Sequence, residues 1–290
     1  MAVGFAEAGP VEAEAWERFE RWLERGGAAG MEYMGRHREI RRDSRLLLEG
    51  GKTIITTAFS YFQERERPEA LPLVSAYAYG KDYHDVIRKR MRKALEGLEG
   101  EFRICVDSAP ILERYWARKS GLGRIGRNGM VIVEGAGNQV FLAEIVTTLE
   151  LDADQPAEGD CGSCGRCLRA CPTGALGEEG IECGRCLSYL TIEHRGEWDE
   201  TGRLAMATPA GRRTLYGCDR CVIACPHSRE GRGEATLPEL QGGEGMLALD
   251  AATALEMGEE GFRQRFRGST IKRCKWEGWQ RNSRNLEGEG

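Results

Sequence analysis

Residues 161–172 read CGSCGRCLRACP, and the spacing of their cysteines limits the fold more than any other stretch. Cys161, Cys164, Cys167 and Cys171 stand as C-x-x-C-x-x-C-x-x-x-C, closed by Pro172. Three thiolates two residues apart wrap one corner of a cubane iron–sulfur cluster, while the fourth, followed by proline, turns away to a different cluster. One such run therefore requires a second set of cysteines. The chain supplies Cys186 and, after a long insertion, Cys218, Cys221 and Cys225, the last followed by Pro226. Read as a stretched two-cluster ferredoxin pattern, they give one 4Fe–4S cluster on Cys161, Cys164, Cys167 and Cys225. The other rests on Cys171, Cys186, Cys218 and Cys221.

A structural zinc site would use paired spacings and has no need of the C-x-x-x-C-P ending, still less of two. A disulfide framework belongs to short secreted chains, and this one has 290 residues. Three cysteines remain over: Cys105, Cys183 and Cys274. Cys183 stands three before Cys186 and competes with it as a ligand. Cys105, in the apolar run FRICVD, reads as a small buried hydrophobe.

Forty-one basic against forty-six acidic residues give a formal charge of −5, so nucleic acid could be bound only through local basic patches, not a global field. The acidic N-terminus lacks the positive start and apolar core of a signal peptide, and no apolar run approaches membrane-spanning length. Arg41-Arg42 lies inside the chain and reads poorly as an export signal. Free thiols serving as cluster ligands suit a reducing compartment, which places the chain in the cytoplasm.

Along the chain, Val11, Trp16, Phe19, Trp22 and Leu23 predict an amphipathic helix over 11–25, closed by Gly26-Gly27. KTIITTAFSY and Leu73 to Tyr79 read as strands. Asp82 to Leu98 reads as a helix whose basic face carries Arg88, Lys89, Arg90, Arg92 and Lys93. Phe102 to Asp107 reads as a strand ending in an acid, followed by a helix from Ile111 to Lys119. GLGRIGRNG follows a helix and not a strand, so it is a poor dinucleotide fingerprint. MVIVE and QVFLAEIVTT read as a β-hairpin pair. The expected organisation is an α+β chain: an α/β domain over 1–150, a two-cluster ferredoxin-like domain over 151–230, and a C-terminal segment over 231–290. The basic, aromatic tail FRQRFRGSTIKRCKWEGWQRNSRN suits either a nucleic-acid contact or a snorkelling surface helix.

The blocks YMGRHREIRRDSRLLL, YGKDYH (79–84), VDSAPILER (106–114), ARKSGLGRIGRNGMVIV (117–133), CGSCGRCLRACPTGA, RCLSYLTIEHRG and GCDRCVIACP occur in order. In them the chain resembles the epoxyqueuosine reductases, cobalamin-dependent iron–sulfur enzymes that finish queuosine in tRNA. The single cysteine of RCLSYLTIE in that family matches Cys186 and supports it over Cys183. The resemblance implies a nitroreductase-like α/β cobalamin domain packed against the two-cluster domain. Clusters would feed cobalt one electron at a time, giving the cob(I)alamin that reduces the epoxide. It implies Asp107 as the acid that protonates the departing oxygen, and a pKa raised by burial in an apolar site would suit that task. The alternative for Asp107 is a helix cap. The resemblance also implies cobalamin contacts at Tyr83, His84, Gly121, Gly123, Gly126, Arg127 and Asn128. A cobalt-ligand role is not assigned to His84, because the D-x-H-x-x-G signature is broken by Ile87.

Arg124 stands where the family usually has Trp, Arg127 where it has Lys, and His227 where Trp is common after the last C-P. Expected partners are tRNA carrying epoxyqueuosine and an external electron donor, with no membrane association and a monomeric state. Rival readings are another corrinoid iron–sulfur reductase, of the reductive-dehalogenase kind, and a ferredoxin-like electron carrier. The second leaves the first 150 residues without a purpose.

Overall fold

The computed structural model describes residues 2–230 and 236–286; the last four residues of the basic C-terminal segment lie outside them. Its core is a four-stranded, wholly antiparallel sheet in the spatial order Ala2–Glu7, Thr53–Ser60, Val140–Thr147, Phe102–Cys105. The two central strands, TIITTAFS and VFLAEIVT, are rich in β-branched residues and buried almost throughout, as strands covered on both faces must be. One face carries Ile54, Cys105 and Val146 against Trp16 and Trp116, from the helices Ala13–Glu24 and Glu113–Lys119. The other carries Ala143 and Ile145 against Ile87 and Met91, from the helix Tyr83–Leu95. Chain order and burial pattern thus give an α/β/α sandwich. The expected α+β class holds, and the buried Cys105 is the small hydrophobe it reads as.

Three elements depart from the sequence reading. The edge strand Ala2–Glu7 occupies the acidic start, where only a short alternation announces it. The stretch 73–79 keeps only Leu73–Val74 as strand and turns into a short 3-10 helix, Ala76–Ala78. The expected hairpin does not form: Val131–Ile132 pairs with Arg124–Ile125, while Val140–Thr147 joins two strands distant in sequence. The glycine loop makes this possible, because a Cβ at Gly123 would collide with the Ile132 carbonyl oxygen. Only glycine lets the two backbones approach so closely.

The cluster segment is stitched to the sandwich at several points. Thr214–Tyr216 pairs in parallel with Leu73–Val74, and Leu240 packs into the same core as Ile87 and Ile145. The tail forms the helix Lys275–Asn285, and its motif residues are interior ones: Trp279, Asn282 and Arg281 are buried. The Asn282 amide donates to the Thr191 and Leu215 carbonyls at 2.8 and 3.0 Å, and Arg281 donates to Leu190 and Gly196 at 2.7 and 2.6 Å. Lys272, Lys275 and Arg284 stay exposed. No helix among the described residues is long and apolar enough to cross a membrane.

Candidate active site and cluster cysteines

The cysteines fall into two groups. Cys161, Cys164, Cys167 and Cys225 line one hollow together with Gly126, Arg127, Asn128 and His227. The thiol of Cys221 is the centre of the second group: burial, then the neighbouring sulfurs of Cys218, Cys186 and Cys171, push it up to about 12. Cys186 is likewise pushed up to about 11, by burial first and by Cys218 and Cys171 among others. Cys183 is buried in an apolar cluster with Leu187, Tyr189 and Met206, against which Cys186 and Cys218 also pack. Two short helices, Arg166–Ala170 and Arg220–Ile223, pack on each other and present Cys167 and Cys221. Each follows a left-handed residue, Gly165 and Asp219. The Asp219 carboxylate secures its turn by accepting from Ser75 Oγ at 2.7 Å and Ala76 N at 2.6 Å.

Among the described residues no three His, Cys, Asp or Glu side chains converge tightly enough to hold a single metal ion. The thiols of the first group surround a hollow instead of meeting at a point. Burial raises Cys167, Cys186, Cys218, Cys221 and Cys225, and thiols so placed ionise beside positive charge of the kind the irons of a cluster supply. The donor sets therefore fit two iron–sulfur clusters.

The second centre is built where the strand Phe102–Cys105 ends. Val106 is buried, and Asp107 takes a left-handed backbone (φ +56), uncommon for a residue with a Cβ and a frequent mark of a functional turn. Its side chain is 57 % exposed, open to a cleft. His84 Nε2 lies 3.2 Å from Asp107 Oδ2, and His84 Nδ1 lies 2.6 Å from Asp82 Oδ1. Both imidazole nitrogens are thus engaged by carboxylates. The Tyr83 ring stacks between His84 and Phe141, with centroids 4.1 and 4.0 Å away, which fixes the imidazole plane.

The electrostatics correct the expectation that Asp107 has a raised pKa. Desolvation works in that direction, but the hydrogen bond and charge of His84, aided by Arg273, outweigh it and hold the carboxyl below the usual carboxylate range. Desolvation opposes protonation of His84, yet its bonds to Asp107 and Asp82 lift it to about 9. At neutral pH the proton of this pair therefore sits on His84. Burial does raise Glu113, to about 7, with Asp107 as the next cause.

The Gly121–Asn128 loop makes its polar contacts on the cluster side. Arg127 N–H points at Cys161 Sγ at 3.3 Å, and the Asn128 amide donates to the Cys221 carbonyl at 3.1 Å. Gly121, at φ +71, packs against the Gln155 carbonyl. Tyr83 and His84 lie at Asp107; Gly126, Arg127 and Asn128 lie at the first cysteine hollow, while Gly121 and Gly123 pack against Gln155 and Ile132.

Several residues at the Asp107 site escape the sequence reading. Glu113 accepts the Asp107 backbone N–H at 2.7 Å. Glu144, on one of the two central strands, is fully buried, and neither carboxyl oxygen has a partner among the described residues. Arg273 comes from the tail, paired bidentately with Glu193 at 2.7 and 2.8 Å and lying over the Tyr33 ring. The available signal was a lone acid inside VFLAEIVT and a second acid six residues after Asp107.

The family model described as Epoxyqueuosine reductase QueG, DUF1730 matches residues 41–108, and the 4Fe-4S double cluster binding domain matches residues 160–228. The epoxyqueuosine reductase of Cyclobacterium marinum is 37 % identical over 298 residues, covering 99 % of this chain and 92 % of the relative. That of Vibrio cholerae is 33 % identical over 97 % of this chain and 79 % of the relative. Among solved structures, epoxyqueuosine reductase from Streptococcus thermophilus superposes with a TM-score of 0.84 at 28 % identity, covering 98 % of this chain and 76 % of that one. An epoxyqueuosine reductase solved with an epoxyqueuosine-modified tRNA-Tyr stem loop gives 0.86 at 26 % identity, with the same coverage. The Bacillus subtilis enzyme, solved with its catalytic aspartate loop swung out of the active site, gives 0.84 at 26 % identity, again covering 98 % and 76 %. The chain is an oxidoreductase that belongs to the epoxyqueuosine reductase family.

Proposed function

We propose that this chain reduces epoxyqueuosine in the anticodon loop of tRNA to queuosine, with Asp107 delivering a proton to the departing oxygen. The observation that carries the reading is the His84–Asp107 pair, set in an open cleft of a chain that also gathers two groups of four cysteines. Opening the epoxide to the cyclopentene consumes two electrons and two protons and releases water. An alkoxide is a poor leaving group, so its protonation belongs to the step itself.

Cys161, Cys164, Cys167 and Cys225 would hold one 4Fe–4S cluster, and Cys171, Cys186, Cys218 and Cys221 the other. Tyr83 and His84, with the Gly121, Gly123, Gly126, Arg127 and Asn128 loop, would hold cobalamin between the cleft and the first cysteine hollow. What supports this placement is that the Asp107 carboxylate is exposed and that the Arg273 cation contributes to the field around it. Bound there, cobalamin supplies low-valent cobalt, replenished through the clusters from an external electron donor. The chain's own contribution is proton delivery, one of the two protons being held on the His84–Asp107 pair and the second being taken up by the same pair from solvent water. His84 stores the first at neutral pH, and covering the cleft removes water from Asp107, which raises the carboxylate's proton affinity and draws the proton across the 3.2 Å contact. Asp107 then passes it on.

Two observations support tRNA as the substrate. Arg88, Arg92 and Arg103 line an open groove beside the Asp107 turn, and Arg88 is bonded to that turn through the Val106 carbonyl and Ser108 Oγ, at 3.3 and 2.9 Å. A groove in which three arginines outnumber the one acid, Glu96, suits a nucleic-acid backbone. The test is anaerobic turnover of epoxyqueuosine-containing tRNA by protein reconstituted with cobalamin and iron–sulfur clusters. Queuosine in the digested nucleosides is the expected result; its absence with cofactors spectroscopically loaded would remove the substrate assignment.

A further inference from the structure

We infer that Glu113 is a positioning residue, a latch that holds the Asp107 turn in the cleft through the peptide N–H of Asp107. The inference rests on the reading of Asp107 as the proton donor, and it concerns what keeps that donor in place.

The geometry is specific. The strand Phe102–Cys105 stops, Val106 is buried, and the backbone reverses at Asp107 in the left-handed region. Asp tolerates that conformation better than most residues with a Cβ, but it still costs free energy that local tethers must offset. Three tethers reach the turn. His84 holds the Asp107 carboxylate, and Arg88 holds the Val106 carbonyl and the Ser108 hydroxyl. Only Glu113 Oε1 takes the Asp107 peptide N–H itself, at 2.7 Å. The first two tethers lie on residues that the reaction or the tRNA would use: His84 gives up its proton, and Arg88 lies in the basic groove. Glu113 is the one that neither of those roles draws on. It is also the first residue of the helix Glu113–Lys119, whose Trp116 and Ala117 are packed beneath the sheet, so the latch is anchored in the rigid core. In the Bacillus subtilis relative the catalytic aspartate loop is seen swung out, so a loop of this kind has somewhere to go.

The latch requires an acceptor and not a charge. Glu113→Gln keeps an oxygen at the same reach; Glu113→Leu and Glu113→Asp remove it, the second by withdrawing the carboxyl one methylene. Hydrogen exchange read by mass spectrometry on a peptide spanning 106–112 measures the turn directly, in reconstituted protein without substrate. Exchange of that peptide should rise about tenfold in the Leu and Asp variants, while a peptide from Val140–Thr147 is unchanged. Turnover should fall by about 10 to 100-fold with KM for tRNA and iron content held, since a misplaced acid loses rate more than binding. The Gln variant should stay within about threefold of the parent on both measures. Parental exchange at the turn in both the Leu and Asp variants would overturn the latch, as would a Gln variant as labile as they are. If instead Asp107→Asn retains turnover, the proton-donor reading fails while the exchange result still decides the latch.

Discussion

His84 Nε2 lies 3.2 Å from Asp107 Oδ2, and its other ring nitrogen is held at 2.6 Å by Asp82. A histidine between two carboxylates is a proton store, and the two acids have different duties: Asp82 caps the helix Tyr83–Leu95 and orients the ring, while Asp107 faces the cleft. Replacing Asp107 by Asn removes the acid yet leaves the turn's shape. Turnover should drop by about 10² to 10⁴, the usual worth of a general acid, with iron content and cobalamin absorbance retained. Loss of the cofactors from that variant would assign Asp107 a structural role.

The same pair makes a prediction about pH. His84 is raised to about 9 in the folded chain against an ordinary value of 6.5. Its protonated form therefore stabilises the fold fully below the unfolded value, and that contribution is lost as pH rises through about 9. In Asp107→Asn one of the two carboxylate partners is gone, so the His84 pKa should move down. NMR titration of the ring reads this shift, and an unmoved pKa would mean that Asp82 alone sets it.

Glu144 points to a cost carried inside the sheet. It sits opposite Thr56 and Cys105 on neighbouring strands, and its two carboxyl oxygens, the Thr56 hydroxyl and the Trp116 indole N–H are all buried without partners. Burial, with Glu113 and Asp107 nearby, holds its pKa well above the usual range, so the group is neutral. An unsatisfied buried polar group costs about 1–3 kcal/mol. Glu144→Leu, close in volume, should recover part of that and raise the melting temperature by roughly 2–8 °C. A lowered melting temperature would show that buried water already satisfies the carboxyl.

Glu113 adds to the pH dependence with the opposite chemistry. Its pKa is raised to about 7 by burial and by Asp107. A carboxyl raised in the fold favours the folded state below its ordinary value and loses that contribution as pH climbs through about 7. Stability should therefore decline from mildly acidic to neutral pH in the parent and decline less in Glu113→Gln. Chemical denaturation of the two proteins across that window checks it.

The chemistry of the cluster region was legible because cysteine spacing is a local property: C-x-x-C-x-x-C-x-x-x-C-P states its partners without reference to the fold. Strands such as TIITTAFS were legible for the same reason. What failed was pairing between neighbours. Val131–Ile132 and Val140–Thr147 follow one another in sequence, but the second is the centre of the sheet, and only the three-dimensional arrangement brings Thr53–Ser60 and Phe102–Cys105 to its two edges. Polar residues misled in a second way. Glu113 and Glu144 escape the sequence reading because nothing local in the string marks a carboxyl that the fold turns inward. Arg281 and Asn282 read as surface or nucleic-acid groups because nothing in the string RNSRN says that backbone carbonyls of Leu190, Thr191 and Leu215 await them.

That last point separates two kinds of basic residue by experiment. Asn282 and Arg281 lock the tail helix onto Leu187–Ile192, and Arg281 also lies over the Trp198 ring at 4.6 Å. Truncating Asn282 to Ala strands two buried carbonyls and should cost about 2–3 kcal/mol of stability, leaving the salt dependence of tRNA binding alone. Lys89, Arg92 and Lys93 are exposed on the helix Tyr83–Leu95 and have no ion-pair partner among the described residues. Changing each of them to Ser should leave the melting temperature in place. If they meet phosphates, tRNA affinity should weaken and the slope of log K against log salt should flatten by about 0.7–0.9 per charge removed. Binding measured between low and physiological salt decides the matter: an unchanged slope in the Ser variants would move the tRNA contact off this helix and onto other exposed cations, with Lys272, Lys275 and Arg284 at the tail the next to test.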